Sequence, residues 1–240
     1  MKTQRPQFLD WTIEFNSGEP NSKFLLNWIK TFPNNVVVQP KYDGRWGLLH
    51  HEAGSTACTM YSRTGKLQQI INHERLSKFG EFKLYGEYIF GTSFAKTSGL
   101  EGNFYVFDCQ ILDDVELSGR GLDDRLSLAL STVFLLQQMG FKFIKMIENG
   151  VVTLRSDAPE VISGYLDTGK YEGVVLKDSK SKWGDPWVRI KPIYEMDYVI
   201  MGMNRSKAPK YDGRMIKSIK AGLYIDGVLV HVCNVGGMSE

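Results

Sequence analysis

The sequence predicts an α+β fold with antiparallel sheets, followed by a smaller all-β unit. Runs of β-branched and aromatic residues bounded by polar turns recur from Val36 to Cys233, whereas few stretches carry helical spacing. Beyond residue 193 only strand patterns remain, at 198–203, 215–224 and 228–233, and the last two flank an Asp226-Gly227 turn that reads as a β-hairpin.

Residues 1–20 mix polar residues with scattered aromatics, without a period, and are expected to form an irregular lead-in. Phe24, Leu25, Trp28, Ile29 and Phe32 then draw a helical stripe that starts after Ser22 and ends before Pro33. Strands are expected at 36–38, 46–49, 58–61, 82–90 and 104–109, with a short helix over 68–79. The clearest helix spans 125–139, with Leu126, Leu130, Phe134 and Gln138 on one face and Gly140 as its stop. Another helix at 159–166 precedes strands at 173–176 and 187–190. The domain boundary is placed between 192 and 193. The 48 residues of 193–240 are too few for a closed five-stranded barrel, so the second unit is expected to be incomplete.

Apolar residues make up 42% and charged residues 23%, ordinary globular values that exclude a disordered chain or a coiled coil. No apolar run approaches the roughly 18 residues a membrane span needs. The opening MKTQRPQFLDW lacks the apolar stretch of a secretory signal, so a cytoplasmic protein is expected. Cys58, Cys109 and Cys233 are odd in number, far apart and without a C-x-x-C, which argues for buried reduced thiols. His50 and His51 have no third ligand at metal spacing and read as strand residues. Net charge is only +2, but it is segregated: 177–220 holds 11 basic and 5 acidic residues. In 101–124, Glu101, Asp108, Asp113, Asp114, Glu116, Asp123 and Asp124 face only Arg120. This division suits steering of a phosphate backbone to one face, and two solvated patches would leave the same pattern.

The chemistry-bearing signal follows the valine run directly: Gln39-Pro40-Lys41-Tyr42-Asp43-Gly44-Arg45. A lysine ending a buried strand is desolvated, which favours the neutral, nucleophilic amine, and Gly44 permits a tight turn beside it. Alone, this short pattern would also suit a surface turn. In order there follow Ser62-Arg63-Thr64-Gly65, Gly86-Glu87, Val106-Phe107-Asp108, Glu172-Gly173-Val174-Val175-Leu176-Lys177 and Trp187-Val188-Arg189-Ile190-Lys191-Pro192. Together, in this order and strand placement, the six segments resemble the nucleotidyltransferase motifs shared by ATP-dependent DNA ligases, RNA ligases and mRNA capping enzymes.

The resemblance implies an ATP-grasp-like nucleotidyltransferase domain in which Lys41 attacks the α-phosphate of ATP and forms a lysyl-AMP phosphoramidate. It further implies that Gln39 approaches the adenine edge, Glu87 the ribose hydroxyls and Arg63 the ribose or phosphate, while Phe107 stacks on the base. Glu172 would hold Mg2+, and Arg189 with Lys191 would neutralise the α-phosphate. Arg45 is a further nucleotide contact, but its place departs from the family pattern K-x-D-G-x-R: Arg45 follows Gly44 directly, and Trp46 occupies the arginine position. A one-residue shift along a strand reverses the side-chain face. Arg189 stands where the family carries a lysine, and its planar fork need not repeat a point contact.

The strands after 193 resemble the opening of the OB domain that follows this domain in phage-type DNA ligases. The implied function is sealing of nicked duplex DNA with ATP and Mg2+ by a monomer, with Lys177, Lys182, Lys210 and Arg214 as weaker DNA contacts. The alternatives are an RNA ligase, a capping guanylyltransferase and a non-catalytic nucleic-acid-binding remnant. A second Lys-Tyr-Asp-Gly-Arg at 210–214 repeats the first pentapeptide, but no partner motif follows it, and it reads as a phosphate-contacting loop.

Overall fold

The computed structural model describes residues 8–13, 29–91, 99–148, 150–151, 156–191, 198–206 and 215–236. The chain divides into two units, Met1–Ile193 and Tyr194–Glu240. In the first unit the valine run becomes strand β2 (Val36–Lys41) of a five-stranded sheet ordered β1 (Phe8–Ile13), β12 (Trp187–Ile190), β11 (Gly173–Asp178), β2, β10 (Gly150–Val151). Strand alternation sorts the side chains of its middle strands. Val36, Val38, Val174, Leu176, Val188 and Ile190 are buried with Ala158 and Ile162 of helix α2 (Ala158–Asp167). Gln39, Val175, Lys177, Trp187 and Arg189, at the alternate positions, line a cavity.

The second sheet runs β5 (Leu67–Asn72), β4 (Ala57–Ser62), β3 (Arg45–His51), β6 (Phe82–Tyr88), β7 (Phe104–Leu112), β8 (Val115–Glu116), with β9 (Ile144–Met146) parallel to β7. Leu49, Met60, Leu84, Phe104 and Val106 pack against Ala129, Val133 and Leu136 of helix α1 (Leu122–Gln138), each large side chain contributing roughly 1.5–3 kcal/mol by leaving water. Trp46, Leu48, Tyr85, Tyr105 and Phe107 pack instead with Tyr42 and Trp187 of the five-stranded sheet's side. The cavity lies between these two layers.

Besides the short unexpected strands β8, β9 and β10, three elements differ from expectation. Phe8–Ile13, in the supposed lead-in, is a strand paired parallel with β12. A parallel partner at the other end of the unit leaves no local turn signal. The helix expected over 68–79 is strand β5 followed by a 3₁₀ turn (Glu74–Lys78), because Gln69, Ile70 and Ile71 pair with β4. Helix α1 is present and Gly140, at φ +100, follows its end, but its buried stripe is Leu122, Leu126, Ala129, Val133 and Leu136. Leu130 and Phe134 are both 56% exposed. A constant spacing of four drifts around a helix of 3.6 residues per turn, whereas mixed threes and fours stay on one face. The helix expected in 22–32 lies outside the described residues except at its end, where Ile29 is fully buried.

The second unit, taken by itself, is an antiparallel sheet of β13 (Val199–Arg205), β14 (Ile216–Ile225) and β15 (Val228–Gly236). Asp226 and Gly227, at φ +51 and +79, form the primed turn that a two-residue hairpin requires. Among the described residues no helix is long and apolar enough to cross a membrane.

Candidate active site

A cavity of about 180 Å³ brings together Gln39, Lys41, Arg63, Glu87, Phe107 and Arg189, drawn from separate segments of the sequence. Lys41 ends β2, and its carbonyl accepts a hydrogen bond from the Glu172 backbone at 2.8 Å, which sets the two side chains at the same sheet end. The Glu172 carboxylate accepts hydrogen bonds from both the Lys41 and the Lys191 ammonium groups. Partial burial works to raise the Glu172 pKa, but the bonds from Lys191 and Lys41 outweigh it and hold the carboxyl below its ordinary value.

Glu87, on β6, lies opposite Trp46 of β3, and both line the cavity. Burial pushes the Glu87 carboxyl up to about 7, against the pull of Lys41 and Arg63. Gly44 is dictated by close approach: a Cβ there would lie 2.7 Å from the Tyr88 carbonyl oxygen and 2.9 Å from Glu87 Cγ. Any side chain would push the lysine turn away from the glutamate strand.

The aromatic end of the cavity is tied together through one carbonyl. Phe107 O accepts from Lys177 Nζ at 3.1 Å and from Gln39 Nε2 at 3.4 Å. The Phe107 ring meets Trp187 edge-on at 5.5 Å, and Lys177 Nζ sits 3.5 Å from the Trp187 ring centroid. Lys177 is 1% exposed, and burial pushes its pKa down to about 7 despite the pull of Asp108. It is therefore not a DNA contact on an outer surface, as its basic neighbourhood suggests; strand alternation turns it into the cavity with Val175.

No protein-family model matches the sequence. The DNA ligase of African swine fever virus is 24% identical over 78% of this chain and 49% of its own length. The chain thus spans about half the length of the curated relatives it matches. Among solved structures, a Lig E DNA ligase aligns with a TM-score of 0.57 over 97% of this chain and 85% of its own, at 13% identity. The ATP-dependent DNA ligase of bacteriophage T7, in complex with ATP, aligns at 0.52 over 96% and 81%, at 16% identity. The fold is that of the ATP-dependent DNA ligases.

On this ligase fold the sequence reading missed Arg125. It is fully buried and binds the equally buried Asp108 through both oxygens, Nε to Oδ1 at 2.8 Å and Nη2 to Oδ2 at 2.9 Å. Its Nη1 donates to the carbonyls of Arg120 and Ser181, at 2.6 and 2.8 Å. The pair anchors β7 immediately after Phe107. The signal lay in an arginine on the apolar stripe of α1, where a charge requires a partner. The acidic stretch is accordingly not one surface patch: Asp108 is internal, Asp113 and Asp114 accept from the backbone of Gly80 and Glu81, and Asp123 pairs with Lys180.

Arg45 does not join the cavity. The one-residue shift puts it on the opposite face of β3 from Trp46, with its guanidinium 5.8 Å from the Phe90 ring centroid. Lys182 is exposed between β11 and β12, and Lys210 and Arg214 lie outside the described residues. His50 bonds Glu81 at 3.1 Å and His51 the Ala57 carbonyl at 3.0 Å, as strand residues. Cys58 and Cys109 are buried free thiols, and Cys233 is half-buried. A larger hollow of about 630 Å³ beside α1 is lined mainly by apolar side chains such as Phe79, Leu112, Leu128 and Leu135, and holds none of the motif residues.

Proposed function

We propose that the chain is the adenylating part of an ATP-dependent DNA ligase, with Lys41 as the nucleophile. The observation that carries this reading is the convergence of Lys41, Glu87, Phe107, Arg63 and Arg189 on one cavity, with Lys191 joined to Lys41 through Glu172. The Lys41 ammonium first releases a proton to solvent, and the neutral amine attacks the α-phosphorus of ATP. The N–P bond forms as the bond to the bridging oxygen breaks, pyrophosphate leaves and the amine gives up a proton. AMP then passes to a 5′-phosphate oxygen with cleavage of the N–P bond, and a neighbouring 3′-hydroxyl displaces AMP to seal the nick. Such transfers depend on positioning and charge neutralisation, which Arg63, Arg189 and Lys191 supply. Phe107 offers the base a face, Gln39 an amide, and Glu87 reaches the ribose.

Among the described residues no cluster of three His, Cys, Asp or Glu side chains could enclose a metal. Magnesium, however, usually takes one or two carboxylates and completes its shell with water and substrate phosphates. Glu172, set between two phosphate-binding amines, fits that mode. When bound there, the ion would neutralise charge on the phosphates. The second unit is read as the start of an OB domain, nicked duplex DNA as the substrate, and the working state as a cytoplasmic monomer.

The test uses ATP labelled at the α-phosphate. With magnesium, the label should become covalently attached to the peptide holding Lys41, and nicked DNA should then remove it and be sealed. A chain that binds ATP and nicked DNA but never carries the label would be a binding protein and not a ligase.

A further inference from the structure

The shift that removes Arg45 from the cavity gives it another setting. Phe90 follows the end of β6 and is 51% exposed, a large aromatic surface left in water. The Tyr88 ring lies nearly parallel to it, at 8° with centroids 6.1 Å apart. Arg45 stands over the Phe90 ring and forms no ion pair with a carboxylate among the described residues. These groups, with Met60, Ser62 and Gln69, line a hollow of about 280 Å³, wide enough for a planar base.

We propose that this hollow seats one unstacked nucleobase of the polynucleotide substrate. The proposal rests on the ligase reading above, since it supplies the polynucleotide. Aromatic faces beside arginine are the common device for holding an unpaired base: the ring stacks, and the guanidinium meets either the π-face or the adjoining phosphate. The Gln69 amide carries one donor group and one acceptor, the combination that can meet a base edge. Apolar occupants would leave the unneutralised guanidinium desolvated, whereas a nucleotide brings its own phosphate to it.

Chain geometry limits which base is seated. Arg45 lies four positions after Lys41, so their Cα atoms can be at most about 14 Å apart, and roughly 6 Å of side chain at each end extends the span to about 26 Å. At about 3.4 Å per nucleotide, this distance corresponds to roughly eight positions. The base therefore lies within about eight nucleotides of the reacting phosphate, at the same end of the sheet and on its opposite face.

The experiment places 2-aminopurine, whose fluorescence reports stacking, at successive positions on either side of the nick and follows binding without ATP. One position should change its signal on binding. Phe90→Ala should abolish that change and weaken binding about tenfold, while Phe90→Trp retains both. Phe90 is half exposed, and unchanged melting temperatures will show that both variants fold. No position-dependent signal, or one that persists in Phe90→Ala, overturns the pocket while leaving the ligase reading intact. Failure of the chain to bind nicked duplex at all overturns both.

Discussion

The Glu172 carboxylate is shared by the Lys41 and Lys191 ammonium groups, so the proposed nucleophile and a second cation are joined through one acid. This acid stays ionised because the two hydrogen bonds outweigh its partial burial. Glu172→Gln keeps the shape and removes the charge. Its self-adenylation should fall about a hundredfold or more, the usual cost of removing one electrostatic group from a phosphoryl-transfer site. The melting temperature should change by only a few degrees, since the side chain is about one-third exposed. Wild-type labelling rates in this variant would remove Glu172 from the reaction.

Lys177 supplies a test in pH. Its folded pKa is about 7, against the ordinary 10.5. Between those values the unfolded chain binds a proton that the folded chain does not, so this residue makes stability rise with pH across that window. Lys177→Met has no such group. In urea titrations at pH 7 and pH 9, the wild type should gain stability relative to Lys177→Met at the higher pH. Equal differences at both values would mean that the lysine is not desolvated.

Much of the site is legible in the sequence because period-two alternation is a local property. Val188 and Ile190 mark the core face of β12, which leaves Trp187 and Arg189 on the cavity side, and the same alternation separates Arg45 from Trp46. Lys177 is not legible in this way. Its burial depends on β11 being covered by the Phe107 carbonyl of the other sheet, a relation between residues 70 positions apart. Arg125 and the strand at Phe8–Ile13 are hidden for the same reason: each is explained by a partner far along the chain. The misplaced face of α1 has a different origin, since Leu130 and Phe134 are apolar yet point to water, and composition alone cannot distinguish them from Ala129 and Val133.

Glu87 gives the opposite sign from Lys177. Burial lifts its carboxyl to about 7 from the ordinary 4.5, so between those values the folded state holds a proton that the unfolded state has lost. Stability contributed by the neutral acid is complete below about 4.5 and is lost as pH rises through 7. Glu87→Gln removes this dependence. The variant should melt higher than wild type at pH 8 and close to it at pH 4.5; parallel melting profiles across that range would count against the buried-acid assignment.

The Asp108–Arg125 pair is fully buried, and breaking it from one side strands a charge. Arg125→Met should cost about 3–5 kcal/mol. Combining it with Asp108→Leu should cost less than the two single changes added together, because no unpaired charge remains. Urea midpoints of the three variants measure the coupling. Strict additivity would mean that the two side chains are energetically independent despite their geometry.

The two identical pentapeptides provide the sharpest discrimination. Lys41 ends a strand whose last residue pairs with Gly173, its amine meets Glu172, and its cavity also holds Arg63, Glu87 and Arg189. Among the described residues, the groups that could orient a triphosphate are therefore brought to this copy by the two sheets of the first unit. Lys210 belongs to the second unit and lies outside the described residues. Lys41→Ala should eliminate the covalent AMP adduct. Lys210→Ala should retain the adduct and weaken DNA binding with a shallower salt dependence, because one phosphate contact is lost. Peptide mapping of the labelled chain reads the result directly. An adduct on the Lys210 peptide, or one that survives in Lys41→Ala, would transfer the nucleophile to the second copy and leave the convergence around Lys41 without a chemical role.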